Sequence, residues 1–162
     1  MPLSDGDRVR SLLGTYCHLI DAGDFVGIGR LMADATLRTL DGTTIATGAV
    51  EVEALYAGLV LLHDDGTPGT QHVVANTAFD EPAEGPGPDD GSLRATSSYV
   101  VLQATADLPL QPIVTGTYVD TFDQDRTGRW RFRERRFGIG RQGTLAHHLT
   151  GHAGPTAPGA TS

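Results

Sequence analysis

A chain of 162 residues with a formal net charge of −8 is long enough to bury a hydrophobic core, and its one cysteine cannot close an intramolecular disulfide. All twelve basic residues are arginine, so the missing lysine excludes Schiff-base chemistry and a P-loop. An acidic chain repels polyphosphate, and no apolar run reaches membrane-spanning length. We therefore expect a cytoplasmic protein that binds neither nucleic acid nor membrane.

The first predicted element is a helix from Ser4 to about Ala22. Ser4 is a suitable N-cap, and Asp7 places a carboxylate in the first turn. Apolar residues then recur at helical spacing: Val9, Leu12, Leu13, Tyr16, Cys17 and Ile20. The next step of four along this stripe reaches Asp21, where an apolar side chain is expected. A buried carboxylate is costly unless it is paired, so either Asp21 has a partner or the helix frays and exposes it.

Residues 24–68 are predicted to form a second short helix, a β-hairpin, a third helix and a polar loop. Asp24 is the expected N-cap of the second helix. The third helix, residues 48–62, carries an apolar stripe made of Val52, Leu55, Tyr56, Leu59 and Leu62. In the loop, the consecutive residues 63–65 (His-Asp-Asp) cannot easily converge on a metal ion. We expect no metal site and no cofactor.

The next predicted strand begins after a Pro-Gly turn and covers residues 69–76. Its side chains alternate, so His72, Val74 and Asn76 share one face. A histidine beside a valine is half-buried, and a single partner then controls its tautomer. Either that partner is a backbone carbonyl, or it is a more distant side chain such as the carboxylate of Asp21.

Residues 80–91 are rich in Pro, Gly and acids and are predicted to form a mobile hairpin loop. Three long strands follow, over residues 92–105, 111–122 and 129–139. Strands of this length favour a strongly curved antiparallel sheet with bulges, wrapped around the N-terminal helices. The order of elements indicates an α+β domain whose cone opens on a small-molecule pocket.

The last strand, residues 129–137, has arginine at its odd positions up to 135 and places Trp130 and Phe132 on the other face. This pattern predicts a solvated cationic face. Without a bulge, Glu134 and Arg136 follow the aromatic residues inward and line a cavity; a bulge is the commoner outcome. Beyond residue 140 the periodicity is lost, so we predict one domain over residues 1–140 and a flexible tail over 141–162, which includes three histidines.

Several strings of the sequence carry a family resemblance. They are Leu19-Ile20-Asp21-Ala22-Gly23-Asp24-Phe25, Gly69-Thr70-Gln71-His72-Val73-Val74-Ala75-Asn76, Gly116-Thr117-Tyr118-Val119-Asp120 and Gly128-Arg129-Trp130-Arg131-Phe132-Arg133-Glu134-Arg135. With them, the chain resembles the SnoaL-like and scytalone dehydratase-like group of the nuclear transport factor 2-like superfamily over about residues 5–140. The resemblance implies a cone-shaped α+β barrel, and a homodimer is the family expectation.

The resemblance also implies chemistry at two positions. His72 matches a general base, and Asp21 matches the aspartate that orients and charges it. Such a pair removes a proton α to a carbonyl, so a cofactor-free lyase or isomerase acting on a hydrophobic, polyketide-like substrate is expected. The side chains that we expect to contact the substrate are Tyr16, Asn76, Tyr99, Tyr118, Asp120, Trp130 and Arg136.

Three alternatives remain open at this point. An aldol-type cyclase would use Asp21 as its acid/base group and would tolerate the loss of His72. An epoxide-opening enzyme would need converging carboxylates and an arginine, for which Asp120 and Arg136 are the candidates. A ligand-binding module without catalysis would use the pair of Asp21 and His72 only as a structural hydrogen bond.

Overall fold

The computed structural model describes residues 1–80 and 91–151. Its elements, in chain order, are α1 (Asp5–Asp21), α2 (Phe25–Leu31), β1 (Thr36–Thr39), β2 (Thr44–Thr47), α3 (Gly48–Leu59), β3 (Thr70–Phe79), β4 (Leu93–Thr105), β5 (Leu108–Gln124) and β6 (Trp130–Gln142). The predicted hairpin loop lies outside the described residues except at its two ends. The same holds for residues 152–162, which include His152.

The first two helices begin where the sequence predicts. The Ser4 hydroxyl accepts a hydrogen bond from the backbone N–H of Asp7 at 3.2 Å and so caps α1. The Asp24 carboxylate accepts one from the N–H of Gly27 at 2.8 Å and caps α2. The predicted apolar stripe of α1 is buried at Val9, Leu13, Tyr16, Cys17 and Ile20. None of the helices in residues 1–80 and 91–151 is both long and apolar enough to cross a membrane.

The sheet has six strands in the order β2-β1-β6-β5-β4-β3 and is not closed. The helices come first and the long curved strands follow, which confirms the predicted cone-shaped α+β fold. One pairing differs from the predicted antiparallel sheet, because β1 runs parallel to β6. Hydrophobic patterning does not reveal the relative direction of two strands that lie about a hundred residues apart, so this pairing could not be predicted from the sequence.

A β-bulge in β3 reverses the face of Asn76. The register against β4 shifts between Ala75 and Ala78, and Asn76 has a φ of 53°. The extra residue moves Asn76 out of the alternation that begins at His72. Asn76 therefore lies in an open groove on the outer face of the sheet, which corrects the prediction that it shares a face with His72.

A second bulge lies in β6, opposite β5. Phe122 pairs with Phe132, whereas Thr121 pairs with Glu134, so one extra residue is accommodated between them. After this bulge Arg135 points into the core and is completely buried. The prediction of a fully solvated arginine face is therefore wrong at Arg135, while the bulged alternative for this strand is confirmed.

The chain after β6 also differs from the prediction. Leu145 and His148 are buried, and Leu149 forms a β-bridge with Val60 at the end of α3. The predicted flexible tail is therefore packed against the domain as far as Thr150. The apolar residues of this segment are too few to show a periodicity. Their packing against the domain could therefore not be predicted from the sequence.

Candidate active site

A cavity of about 350 Å³ lies between the concave face of the sheet, the helices α1 and α3, and the packed segment after β6. Most of its wall is aliphatic or aromatic. All four tyrosines of the sequence line it, at positions 16, 56, 99 and 118, together with His72 and His148. Its volume is at the small end of the range for ligand pockets, which is roughly 300–1,000 Å³.

The side chains of Asp21 and His72 are in contact, as the sequence predicts. Asp21 Oδ1 lies 2.6 Å from His72 Nδ1, and Asp21 Oδ2 accepts the backbone N–H of His72 at 2.8 Å. The Thr70 hydroxyl donates to Oδ1 at 2.8 Å. Because the carboxylate accepts at Nδ1, the imidazole carries its proton there, and Nε2 makes no hydrogen bond within the described residues.

The charge state of Asp21 follows from these contacts. Burial alone would raise the pKa of Asp21, but the hydrogen bonds from His72 and Thr70 lower it below its ordinary value. The side chain of Asp21 is only 20% exposed, and that of His72 is 4% exposed. The result is a carboxylate, largely shielded from water, that is held in one orientation against the imidazole.

The tyrosines form a connected group next to this pair. The Tyr16 and Tyr56 hydroxyls lie 3.0 Å apart, and the Tyr99 and Tyr118 rings stack with centroids 4.3 Å apart. Burial raises the pKa of Tyr16 and of Tyr118, so both stay protonated donors at neutral pH. The Tyr16 hydroxyl also interacts with that of Tyr118, and two hydrogen bonds among three hydroxyls use two of their three hydrogens, so the group retains a donor for a ligand in the cavity.

A buried ion pair lies behind the tyrosines. Arg135 donates from Nε and Nη2 to the two carboxylate oxygens of Asp120, each at 2.8 Å. Its guanidinium carbon lies 4.3 Å from the Tyr16 ring centroid and 4.0 Å from that of Tyr118. Burial alone would lower the pKa of Arg135, but Asp120 raises it above its ordinary value, so the positive charge remains next to the phenols.

His148 enters the cavity wall from the segment after β6. Its ring centroid lies 6.3 Å from that of His72. Burial and the nearby His72 lower the pKa of His148 to about 4, so its imidazole is neutral at pH 7. Sequence reasoning missed His148, Tyr56 and Arg135. For Tyr56 a signal existed, because its hydroxyl would need a partner in an otherwise apolar stripe.

A model of the SnoaL-like domain matches residues 1–136, which is most of the chain. The chain belongs to the SnoaL-like domain family. No curated protein matches the sequence.

Solved structures support the fold of this SnoaL-like domain. Rv3472, a protein of unknown function from Mycobacterium tuberculosis, is 22% identical, with 85% of this chain and 72% of that chain covered and a TM-score of 0.64. ActVI-ORFA from Streptomyces coelicolor is 19% identical, with coverages of 84% and 98% and a TM-score of 0.65. A protein provisionally assigned as a scytalone dehydratase, from Novosphingobium aromaticivorans, is 19% identical, with coverage of 85% of each chain and a TM-score of 0.62. At these identities the likeness establishes the fold alone.

Four of the predicted substrate contacts do not line the cavity of the SnoaL-like domain. Asn76 is on the outer face of the sheet, and Trp130 donates its indole N–H to Asp5 near the start of α1. Arg136 pairs with Glu134 at 2.7 Å on the outer face, because the β6 bulge turns it away from the cavity. Asp120 is buried behind the tyrosines with Arg135, so Asp120 and Arg136 do not converge as an epoxide-opening site would require.

Within the described ranges, no group of three or more His, Cys, Asp or Glu side chains is placed to hold a metal ion. His63 instead makes a ring-nitrogen hydrogen bond to the backbone carbonyl of His147 at 2.9 Å. This contact attaches the segment after β6 to the loop that follows α3.

The buried His148 should make the stability of the SnoaL-like domain depend on pH. Its pKa is about 4 in the folded protein and 6.5 by ordinary value, so the unfolded chain takes up the proton first as the pH falls. The contribution of the neutral His148 to the free energy of unfolding is fully present above pH 6.5 and is lost progressively down to about pH 4. Between pH 7 and 4.5, the free energy of unfolding of the wild type should therefore fall by about 2 kcal/mol more than that of His148→Phe.

Chemical denaturation at the two pH values measures this effect. The ionisable groups that act on His148 are His72, Asp21 and His63, and they remain in both proteins. His18→Phe makes the same replacement at an exposed histidine and is the matched control with which the His148 variant is compared. If the free energy of unfolding falls by the same amount on acidification in His148→Phe and in the wild type, the assignment of a neutral, buried His148 is contradicted.

Proposed function

We propose that this SnoaL-like domain is a lyase or isomerase that removes a proton α to the carbonyl of a small hydrophobic, polyketide-like substrate, without needing a cofactor. The observation that carries this proposal is the contact between Asp21 and His72 in the wall of the cavity. A carboxylate at Nδ1 and an unengaged Nε2 are the arrangement that a histidine general base requires.

The first step breaks the α C–H bond of the substrate. The proton goes to Nε2 of His72, and the electron pair moves to the carbonyl oxygen to form an enolate. Asp21 stabilises the imidazolium that results, because its negative charge is 2.6 Å from Nδ1. General base catalysis of this kind contributes on the order of a hundred- to ten-thousandfold.

The enolate oxygen needs donors, and the tyrosine hydroxyls in the cavity wall can provide them. The hydroxyls of Tyr16, Tyr56 and Tyr118 are linked through Tyr16, and the three together retain a donor hydrogen. Arg135 lies against the ring of Tyr16 and places a positive charge behind it. A preorganised donor backed by a buried cation favours the developing negative charge over the neutral carbonyl.

The second step decides the reaction type. If the substrate carries a hydroxyl on the β carbon, the enolate expels it, and the imidazolium proton converts the departing hydroxide into water. If there is no leaving group, the proton returns to another carbon and the product is an isomer. An aldol-type cyclase would use the same enolate, so this alternative shares the first step and differs only in the product.

The size and lining of the cavity support the substrate class. A volume of about 350 Å³ with mainly apolar walls suits a small, uncharged, ring-containing ketone. The assignment of one similar structure as a scytalone dehydratase agrees with a dehydration. The predicted homodimer and the cytoplasmic location stay predictions.

Deuterium exchange tests the first step without knowledge of the natural substrate. We expect the protein in D₂O to exchange the C2 protons of 1-tetralone, a bicyclic aryl ketone, faster than buffer alone. Loss of the C2 proton signal by NMR measures the rate. A rate equal to the buffer background would contradict the proposed function and favour the ligand-binding module.

A further inference from the structure

We propose that His148 is a second substrate-contacting residue, whose imidazole hydrogen-bonds the hydroxyl that leaves from the β carbon. The inference rests on the proposed function, because it assumes that a ketone occupies the cavity next to His72. It adds the chemical class of the substrate, which is a neutral β-hydroxy ketone, and it assigns a role to the segment after β6.

The backbone around His148 is held in place from several sides. Leu61 donates its backbone N–H to the carbonyl of His148 at 2.8 Å, and the N–H of His148 bonds to the carbonyl of Leu145 at 2.9 Å. The adjacent His147 carbonyl accepts from the Gln103 amide at 2.7 Å. The Thr150 N–H bonds to the carbonyl of Leu59 at 2.8 Å. These contacts fix the ring in the wall of the cavity.

The imidazole of His148 has no hydrogen-bond partner among the described residues. The residue is only 5% exposed, and its Nδ1 is buried without a partner in the described part of the chain. Its other ring nitrogen, Nε2, makes no hydrogen bond to a described residue either, and unlike Nδ1 it is not enclosed, so Nε2 is the atom that a ligand in the cavity would reach. Burying a polar ring without partners is unfavourable. A phenylalanine would fill this position in an apolar wall at lower cost, so the imidazole indicates a ligand.

The position of the ring indicates which substrate atom it meets. The phenols provide the donors for the carbonyl oxygen, with the charge of Arg135 behind Tyr16, whereas His148 lies on the wall formed by the segment after β6. Its ring centroid is 6.3 Å from that of His72, which is close enough for one small group of atoms to contact both rings. In a β-hydroxy ketone the departing oxygen is on the carbon next to the one that loses its proton. That geometry fits two imidazoles at this separation.

A hydroxyl also fits the chemistry of a neutral imidazole. The Nε2 of a neutral imidazole donates in one tautomer and accepts in the other, and an alcohol can pair with it in both. An anionic group would instead need a cation, and the described cavity wall contains no arginine. The paired substrate oxygen is therefore part of an uncharged alcohol, and the hydrogen bond to His148 holds the C–O bond in place while it breaks.

Two related probes separate this inference from the proposed function. 1-Tetralone reports only the removal of the α proton, through deuterium exchange. 3-Hydroxy-1-tetralone adds a β-hydroxyl, and loss of one water, made of a C2 proton and the C3 hydroxyl, gives a naphthalenone that tautomerises to the fluorescent 1-naphthol. We expect His148→Phe to lower the ratio of dehydration to exchange by about tenfold, which is the usual effect of one lost neutral hydrogen bond.

Matched variants complete the design. His148→Gln restores an amide that donates and accepts, so it should recover part of the dehydration rate. His147→Phe makes the same change at the neighbouring residue, whose side chain does not line the cavity, and should leave both rates unchanged. Thermal unfolding of His148→Phe should show no loss of stability at pH 7, because the removed ring nitrogens have no protein partner.

Each outcome distinguishes the two proposals. If His148→Phe lowers the exchange and dehydration rates equally, or lowers neither of them, the inference about the leaving hydroxyl is wrong and the role of His72 stands. If the wild type exchanges 1-tetralone but does not dehydrate 3-hydroxy-1-tetralone, the inference is likewise overturned. If the wild type exchanges neither ketone and forms no naphthol, both proposals are overturned.

Discussion

Replacement of His72 by alanine is expected to lower the rate of α-proton exchange by about a hundred- to ten-thousandfold. His72 is the imidazole in the cavity wall with both a carboxylate partner and an unengaged ring nitrogen. Its removal leaves Tyr16 and Tyr118, whose raised pKa values make them poor bases at neutral pH, and His148, whose pKa of about 4 makes it a weaker base than an ordinary imidazole. NMR measurement of C2 deuteration in 1-tetralone gives the rate.

Asp21→Asn is the companion variant, and we expect it to lower the exchange rate by at least about a hundredfold. The amide removes the negative charge that stabilises the imidazolium and can present an N–H to Nδ1, which would favour the wrong tautomer. Asp64→Asn and His18→Ala change exposed residues of the same types and should leave the rate unchanged. If Asp21→Asn and His72→Ala both keep the wild-type exchange rate, a general-base role for this pair is ruled out.

The second large effect concerns stability. We expect Arg135→Met to lower the free energy of unfolding by about 3–5 kcal/mol, because it leaves the Asp120 carboxylate buried without its partner. The two side chains are 0% and 1% exposed and share two hydrogen bonds of 2.8 Å. Urea denaturation of the wild type and the variant measures the difference.

A double variant identifies the cause of this loss. Replacing both partners, as Arg135→Met with Asp120→Leu, removes both buried charges and should recover most of the lost stability. The exposed Asp7–Arg10 pair, 3.3 Å apart, is the matched control, and Arg10→Met should lower the free energy of unfolding far less than Arg135→Met. A double variant as unstable as the sum of the single variants would show that packing, and not the unpaired charge, dominates.

The same double variant separates stability from catalysis. If Arg135 supports the phenols electrostatically, the folded double variant should still exchange 1-tetralone more slowly than the wild type. The reason is that the cation behind Tyr16 and Tyr118 is gone even where the fold is restored. An unchanged exchange rate would leave the ion pair with a structural role only.

The local features of the fold could be predicted from the sequence because they depend on near neighbours. Ser4 and Asp24 cap helices through the residue three positions on, and the stripe of α1 follows from the helical repeat. Asp21 was detectable because it interrupts that stripe, and His72 because it shares a strand face with an apolar residue. Each lacked a partner in its own element, so a contact between them was a reasonable hypothesis, and the structure contains it.

The remaining parts of the site depend on features that no local pattern encodes. A single extra residue in a strand reverses every following side chain, so the bulges in β3 and β6 moved Asn76 outward and Arg135 inward. The pairing of Arg135 with Asp120 then follows from the register of β6 on β5. His148 reaches the cavity because Leu145 and Leu149 find an apolar surface to cover, and that surface exists only after the helices and sheet have come together.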